Sequence, residues 1–108
     1  MLRRLALMNG NDLILPEALR ARVATLAGWT LTHGGTRIRR DWTLRDFNAA
    51  MAFLNAVAEV AEQEQHHPDL HLEGYRKVWI EIFTHSAGGL TENDFRLAAR
   101  IDAIVPSA

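Results

Sequence analysis

The sequence has no cysteine, which removes disulfides, thiolate nucleophiles and cysteine-based zinc sites together. It also has almost no net charge, −1 at pH 7, so neither nucleic acid nor an anionic membrane exerts a general pull on it. Long apolar runs are missing too. Leu2 to Met8 is too short for a signal peptide, and nothing else approaches a membrane span. These absences predict a cytoplasmic protein with no direct nucleic-acid partner and no membrane contact. There is no internal repeat and no low-complexity segment.

What is present is an ordinary globular composition, with 48% hydrophobic and 23% charged residues, enough for one modest core. A chain of 108 residues is expected to form a single domain over residues 1–108, small enough that self-association would help it. Met1 to Asn11 have no clear period and contain the turn-prone Asn9-Gly10-Asn11, so they read as a loose lead-in.

From Pro16, the spacing of Leu19, Val23 and Leu26 predicts a helix, with Gly28 just past its end. Gly34-Gly35 then separates two strand-like segments, Trp29 to His33 and Thr36 to Thr43. Arg37, Arg39, Arg40 and Asp41 mark the second of these as an exposed or edge strand. Thr43-Leu44-Arg45-Asp46 resembles a capping box that opens a long helix running to about Gln65. Between Phe47 and Ala61 only Asn48, Asn55 and Glu59 are polar, and they share one narrow stripe. The rest of that helix either needs a further covering surface, such as a second subunit, or is alanine-rich helix left partly wet. Glu62 and His66 continue the polar stripe, which places Glu62 one turn below His66.

A second hairpin is expected from Leu70 to Tyr75 and Lys77 to Thr84. In its second strand Val78, Ile80 and Ile82 form one face and Trp79, Glu81, Phe83 and His85 the other, as in a central strand. Thr91-Glu92-Asn93-Asp94 resembles another capping box, and Phe95, Leu97, Ala98, Ile101 and Ile104 give the last helix its buried side. The expected class is α+β: a four-stranded antiparallel sheet with three helices on one face, in the order α-β-β-α-β-β-α.

Chemistry concentrates between Glu62 and Asp94. Pro68 disfavours helical backbone at the residue before it, so the long helix should end near His66 and leave His67 extended. Imidazoles both give and take protons near neutral pH, so His66, His67 and His85 around one cleft would suit acid–base chemistry, with Glu62 or Asp94 orienting them. Two other readings stand beside this one. His66 and His67 would also suit the negative end of the helix dipole. A zinc site of His66, His67, His85 and Asp94 has the right residue types, though adjacent histidines before a proline depart from the turn spacing of helical metal ligands. His33 and His71 fall at surface or hairpin positions.

The arrangement of Glu62, His66-His67-Pro68, Tyr75, His85 and Asp94 resembles the signature of the pterin-4a-carbinolamine dehydratases. The likeness runs from Trp29 through the helix opening at Phe47 to Gly88–Phe95 and on to Ile101. It implies an α+β saddle, a homodimer or homotetramer, no metal and no organic cofactor. It also implies dehydration of a 4a-hydroxytetrahydropterin to the quinonoid dihydropterin, a step in tetrahydropterin recycling. The catalytic set would be His66, His67 and His85 with Glu62 and Asp94. The segments Gln65, His66, His67, Pro68 and Thr84, His85, Ser86 would line the pterin, and Trp29 would be either a wall of the site or a core residue.

Two departures stand out: Leu70 occupies a position where many members carry tryptophan, and His71-Leu72-Glu73-Gly74 lengthens the hairpin by one residue relative to animal forms. The resemblance carries an alternative of another class as well. Relatives include non-catalytic scaffolds, such as a transcription-factor coactivator and proteins linked to molybdenum-cofactor enzymes or Rubisco assembly. All three histidines and both acids are retained here, which a scaffold would not need.

Overall fold

Pro16 fixes the first turn of a nine-residue helix, α1 (Pro16–Ala24). The chain continues through β1 (Thr30–Thr32), β2 (Arg37–Thr43), α2 (Phe47–Glu64), β3 (Asp69–Glu73), β4 (Lys77–Ile82) and α3 (Glu92–Asp102). The computed structural model describes residues 11–104; the expected lead-in, apart from Asn11, lies outside the described residues. The element order agrees with the periodicities, as does the antiparallel pairing.

The sheet is ordered β1-β2-β4-β3. β4 is hydrogen-bonded on both sides, with Ile80 opposite Arg40 of β2 and Leu70 of β3. Residues directly opposite in an antiparallel pair share a face, so Ile38, Val78, Ile80 and Ile82 all point the same way, and all four are fully buried. Against them pack Leu19 of α1, Ala50, Phe53 and Val57 of α2, and Leu97, Ala98 and Ile101 of α3. Each large aliphatic or aromatic side chain withdrawn from water there contributes roughly 1.5–3 kcal/mol. One face of the sheet thus carries the helices. Across that layer Arg22 of α1 forms a two-pronged ion pair with Glu92 of α3, and its guanidinium lies 4.7 Å from the centre of the Phe95 ring.

β2 is an interior strand, not the edge strand its four charges suggest. Each charge finds a partner, and those of Arg37 and Arg40 come from distant segments. Arg39 donates to Asp41 at 2.8 Å, Arg37 approaches Asp69 at 3.4 Å, and Arg40 reaches Asp102 at the end of α3 at 2.7 Å. The same arginines lie over Trp79, Phe83 and Trp42 respectively, so their stems cover aromatic surface. Arg40 also explains Gly28: φ there is 89°, and a Cβ would come within 2.8 Å of the Arg40 Nε.

α2 begins three residues later than the Thr43 motif implies. Thr43 remains in the ladder opposite Lys77, and Leu44 N–H donates to the Arg76 carbonyl at 2.9 Å. Asp46 becomes the cap, its carboxylate accepting from the Ala49 N–H at 2.8 Å. That bond, with a smaller part from Arg45, holds the Asp46 carboxyl below its ordinary range. A depressed folded-state value means that the stabilisation is complete above the unfolded value and is lost as pH falls through the folded one. Asp46→Ala should therefore lower the melting temperature at neutral pH, and the gap to wild type should close in acid; a gap independent of pH would assign the effect to something other than the ionised cap.

The nearly all-round apolar character of α2 leaves a wet stripe on its outer side. Phe47 is 52% and Met51 39% exposed, one turn apart on the same side of the helix.

Candidate active site

The geometry starts where α2 stops. Glu64 is the last helical residue, and Gln65 turns into the left-handed region with φ 54°. The N–H of His66 still bonds the Ala61 carbonyl, at 3.1 Å, so the helix end is closed while the chain changes direction. His66 is thereby taken off the helical stripe. The expected Glu62–His66 pairing does not form; Glu62 instead meets His67, Oε2 to Nε2, in a short contact between two exposed side chains.

His66 turns toward α3. Its Nε2 lies 2.6 Å from Asp94 Oδ1. Asp94 is fully buried, and its other oxygen accepts from the Thr84 hydroxyl and from the Thr91 N–H, each at 2.8 Å. The second of these is the reciprocal bond of the predicted capping box at the start of α3. An ionised carboxylate only accepts, so His66 donates from Nε2, which in the neutral ring makes Nδ1 the acceptor.

His85 does not close a strand, because β4 ends at Ile82. Thr84 bridges back to Gly89, and its carbonyl accepts from Ala87 N–H at 3.2 Å and Gly88 N–H at 3.0 Å. His85 thus opens a single 3-10 turn, His85–Ala87. Its ring packs on Phe83, with centres 4.0 Å apart, and it is exposed, as is Ser86. Among the described residues no hydrogen bond holds either His85 nitrogen.

The remaining expected lining residues divide. Gln65 is exposed and Pro68 half-buried beside the histidine pair. Trp29 takes the core position of the two expected of it: it is 3% exposed, its indole N–H donates to Asp102 at 3.0 Å, and it meets Trp42 edge-on.

The family model for pterin 4 alpha carbinolamine dehydratase matches residues 12–104. The chain belongs to the pterin carbinolamine dehydratase family. A mitochondrial pterin-4-alpha-carbinolamine dehydratase 2 of Arabidopsis thaliana is 48% identical over 89% of this chain, which spans only 54% of that relative. A protein of Acidobacterium capsulatum, provisionally given the same dehydratase name, is 46% identical over 85% of this chain and 97% of its own length. Among solved structures, a transcriptional coactivator/pterin dehydratase from Brucella melitensis superposes with a TM-score of 0.79 at 29% identity, covering 85% of this chain and 97% of its own. A pterin dehydratase-like RuBisCO assembly factor of the alpha-carboxysome shares the fold, with a TM-score of 0.62 at 23% identity over 75% of this chain.

Within this dehydratase frame, Leu70 sits on the edge strand β3, on the helix side of the sheet and 37% exposed. A groove of about 960 Å³ along Leu13–Leu19, Gly34–Thr36 and Gly88–Leu90 ends beside the His85 turn, but none of the three histidines lines it.

The open face of the sheet holds a group that sequence reasoning passed over. Glu81 is 8% exposed, with His33 at 3.5 Å, Arg37 at 3.6 Å and His71 at 3.7 Å. His71 is itself stacked on Trp79, ring centres 4.7 Å apart. The available signal was a carboxylate amid the apolar residues of a central strand, which requires cationic neighbours. Among the described residues no three His, Asp or Glu side chains are gathered so as to hold a metal ion, and no helix is long and apolar enough to cross a membrane.

Proposed function

We propose that the chain dehydrates a 4a-hydroxytetrahydropterin to the quinonoid dihydropterin by imidazole general acid–base catalysis, in tetrahydropterin recycling. The observation that carries this reading is the buried Asp94 carboxylate, which bonds the His66 ring on one side and Thr84, the residue before His85, on the other. Two histidine-bearing segments distant in the chain are tied to one group.

In the reaction the C4a–O bond breaks, the departing oxygen takes a proton and leaves as water, and N5 loses its proton as the C4a=N5 bond forms. Hydroxide is a poor leaving group, so an imidazolium must protonate it and a second base must accept from nitrogen. His67 and His85, both exposed and at element ends, bracket the 4a-hydroxyl. His66 binds or shuttles a proton through Nδ1, with Asp94 as its positioning residue and Glu62 as that of His67. The backbone from Gln65 to Pro68 and from Thr84 to Ser86 offers donors and acceptors to the flat ring. Proton transfer alone completes this chemistry, without metal or organic cofactor.

Stopped-flow assay of chemically generated 4a-hydroxytetrahydropterin tests the reading. Acceleration over the spontaneous reaction, unchanged by a chelator, is the expected result. No acceleration would put the non-catalytic coactivator or assembly reading ahead; loss on chelation would restore the zinc alternative. The wet Phe47–Met51 stripe supports a homodimer or homotetramer. Sedimentation velocity should give a multiple of the 12.1 kDa chain mass, and a lone monomer at micromolar concentration would reject self-association.

A further inference from the structure

Hydrogen counting gives the hydroxyls around Asp94 a direction. Thr84 has one hydroxyl hydrogen, and it goes to Asp94 Oδ2 at 2.8 Å. The Thr84 and Thr91 hydroxyl oxygens are also 2.8 Å apart. With the Thr84 hydrogen committed, the donor in that second bond is Thr91. The direct approach of the Thr91 hydroxyl to Asp94, at 3.5 Å, is too long to compete. Donation therefore runs from Thr91 to Thr84 to Asp94 Oδ2, and His66 donates to the other oxygen of the same carboxylate. Thr91 is 0% and Thr84 5% exposed, so solvent does not interrupt the chain, and a hydroxyl that accepts one hydrogen bond donates the next more strongly.

We infer that Thr91, acting through Thr84, is a positioning residue for the dehydration: the two-hydroxyl relay fixes the Asp94 carboxylate and thereby holds His66 with Nε2 as donor and Nδ1 as acceptor. The inference rests on the acid–base reading above. Threonine at a helix N-cap is commonplace, but capping uses the hydroxyl as an acceptor, and its hydrogen is free for another partner. Here that hydrogen is directed at the residue preceding His85. The carboxylate it reaches is the one that holds the His66 ring, so the relay joins both histidine segments through buried side chains.

Thr91→Val removes the hydroxyl at nearly constant volume. Its kcat should fall about tenfold, the upper end of the usual scale for a hydrogen bond between neutral groups, with KM within about twofold, the pattern of an interaction that matters in the transition state. Thr91→Ser should restore kcat. Thr84→Val should lose at least as much as Thr91→Val, because it removes the donor that touches Asp94. Nitrogen-15 NMR of the imidazoles should show His66 protonated at Nε2 in wild type and a mixed tautomer in Thr91→Val.

A cycle separates relay from cap. In an Asp94→Asn background, where the amide already reverses the His66 tautomer, Thr91→Val should cause no further fall in kcat. The same fall in both backgrounds, or wild-type kcat in Thr91→Val and Thr84→Val, would overturn the inference. An inactive wild type would instead sink the dehydratase reading, while the NMR comparison would still judge the relay.

Discussion

His85→Ala should slow dehydration of a 4a-hydroxytetrahydropterin by about 10²–10⁴-fold, the usual contribution of a positioned acid or base. Its folding stability should stay within about 0.5 kcal/mol of wild type, as for a surface substitution clear of buried contacts. The His85 ring is exposed at the start of a 3-10 turn, has no hydrogen bond among the described residues, and touches Phe83. His67→Ala should behave alike, because its Glu62 partner is itself in water and exposed ion pairs contribute little. His66→Ala should differ from both. It strips a partner from a fully buried carboxylate, so rate and stability fall together. Single-turnover rates beside urea denaturation of the three variants give this two-against-one pattern. A wild-type rate in His85→Ala would remove that imidazole from the reaction, and a rate that falls only in step with stability would make its role structural.

The parts legible in the sequence are those set by neighbours along the chain. Apolar spacing and glycine punctuation located the three α-helices and four strands of the described residues, and Thr91 to Asp94 announced its capping box because all four residues act within one turn. What was not legible depends on partners brought from elsewhere or on one unusual dihedral. Gln65 carries no left-handed signal of the kind glycine gives, yet its φ of 54° moves His66 from Glu62 to Asp94 and gives Glu62 to His67. Asp46 displaced Thr43 as cap because Thr43 was already committed to the ladder with Lys77. Arginine stems over apolar neighbours were legible in β2, but its charges read as solvent-facing because Asp69 and Asp102 come from distant segments. Thr84 read as a substrate-lining residue and Thr91 as a cap; that their hydroxyls meet required the fold.

The second large effect belongs to Asp94, and two substitutions divide its roles. Asp94→Ala leaves the Thr91 N–H buried without its side-chain acceptor, forces the Thr84 hydroxyl to turn to that of Thr91, and removes the partner of a ring only 15% exposed. Breaking a buried charged contact of this kind costs about 3–5 kcal/mol, a large share of the roughly 5–15 kcal/mol that holds a domain folded. Asp94→Asn keeps the volume, and its amide oxygen can still accept from Thr84 and Thr91, so most of that stability should remain. Its NH₂ group then faces His66 Nε2, which must become the acceptor, so the ring hydrogen moves to Nδ1. An imidazole with its hydrogen on Nδ1 cannot accept a proton there, a kinetic defect that should cost about 10²-fold, the lower end of acid–base assistance. The expected result is therefore crossed: urea midpoints fall far more in the alanine variant, while the rate falls strongly in both. If the asparagine variant keeps the wild-type rate, the Asp94–His66 contact serves the fold alone, and His66 passes no proton in the reaction.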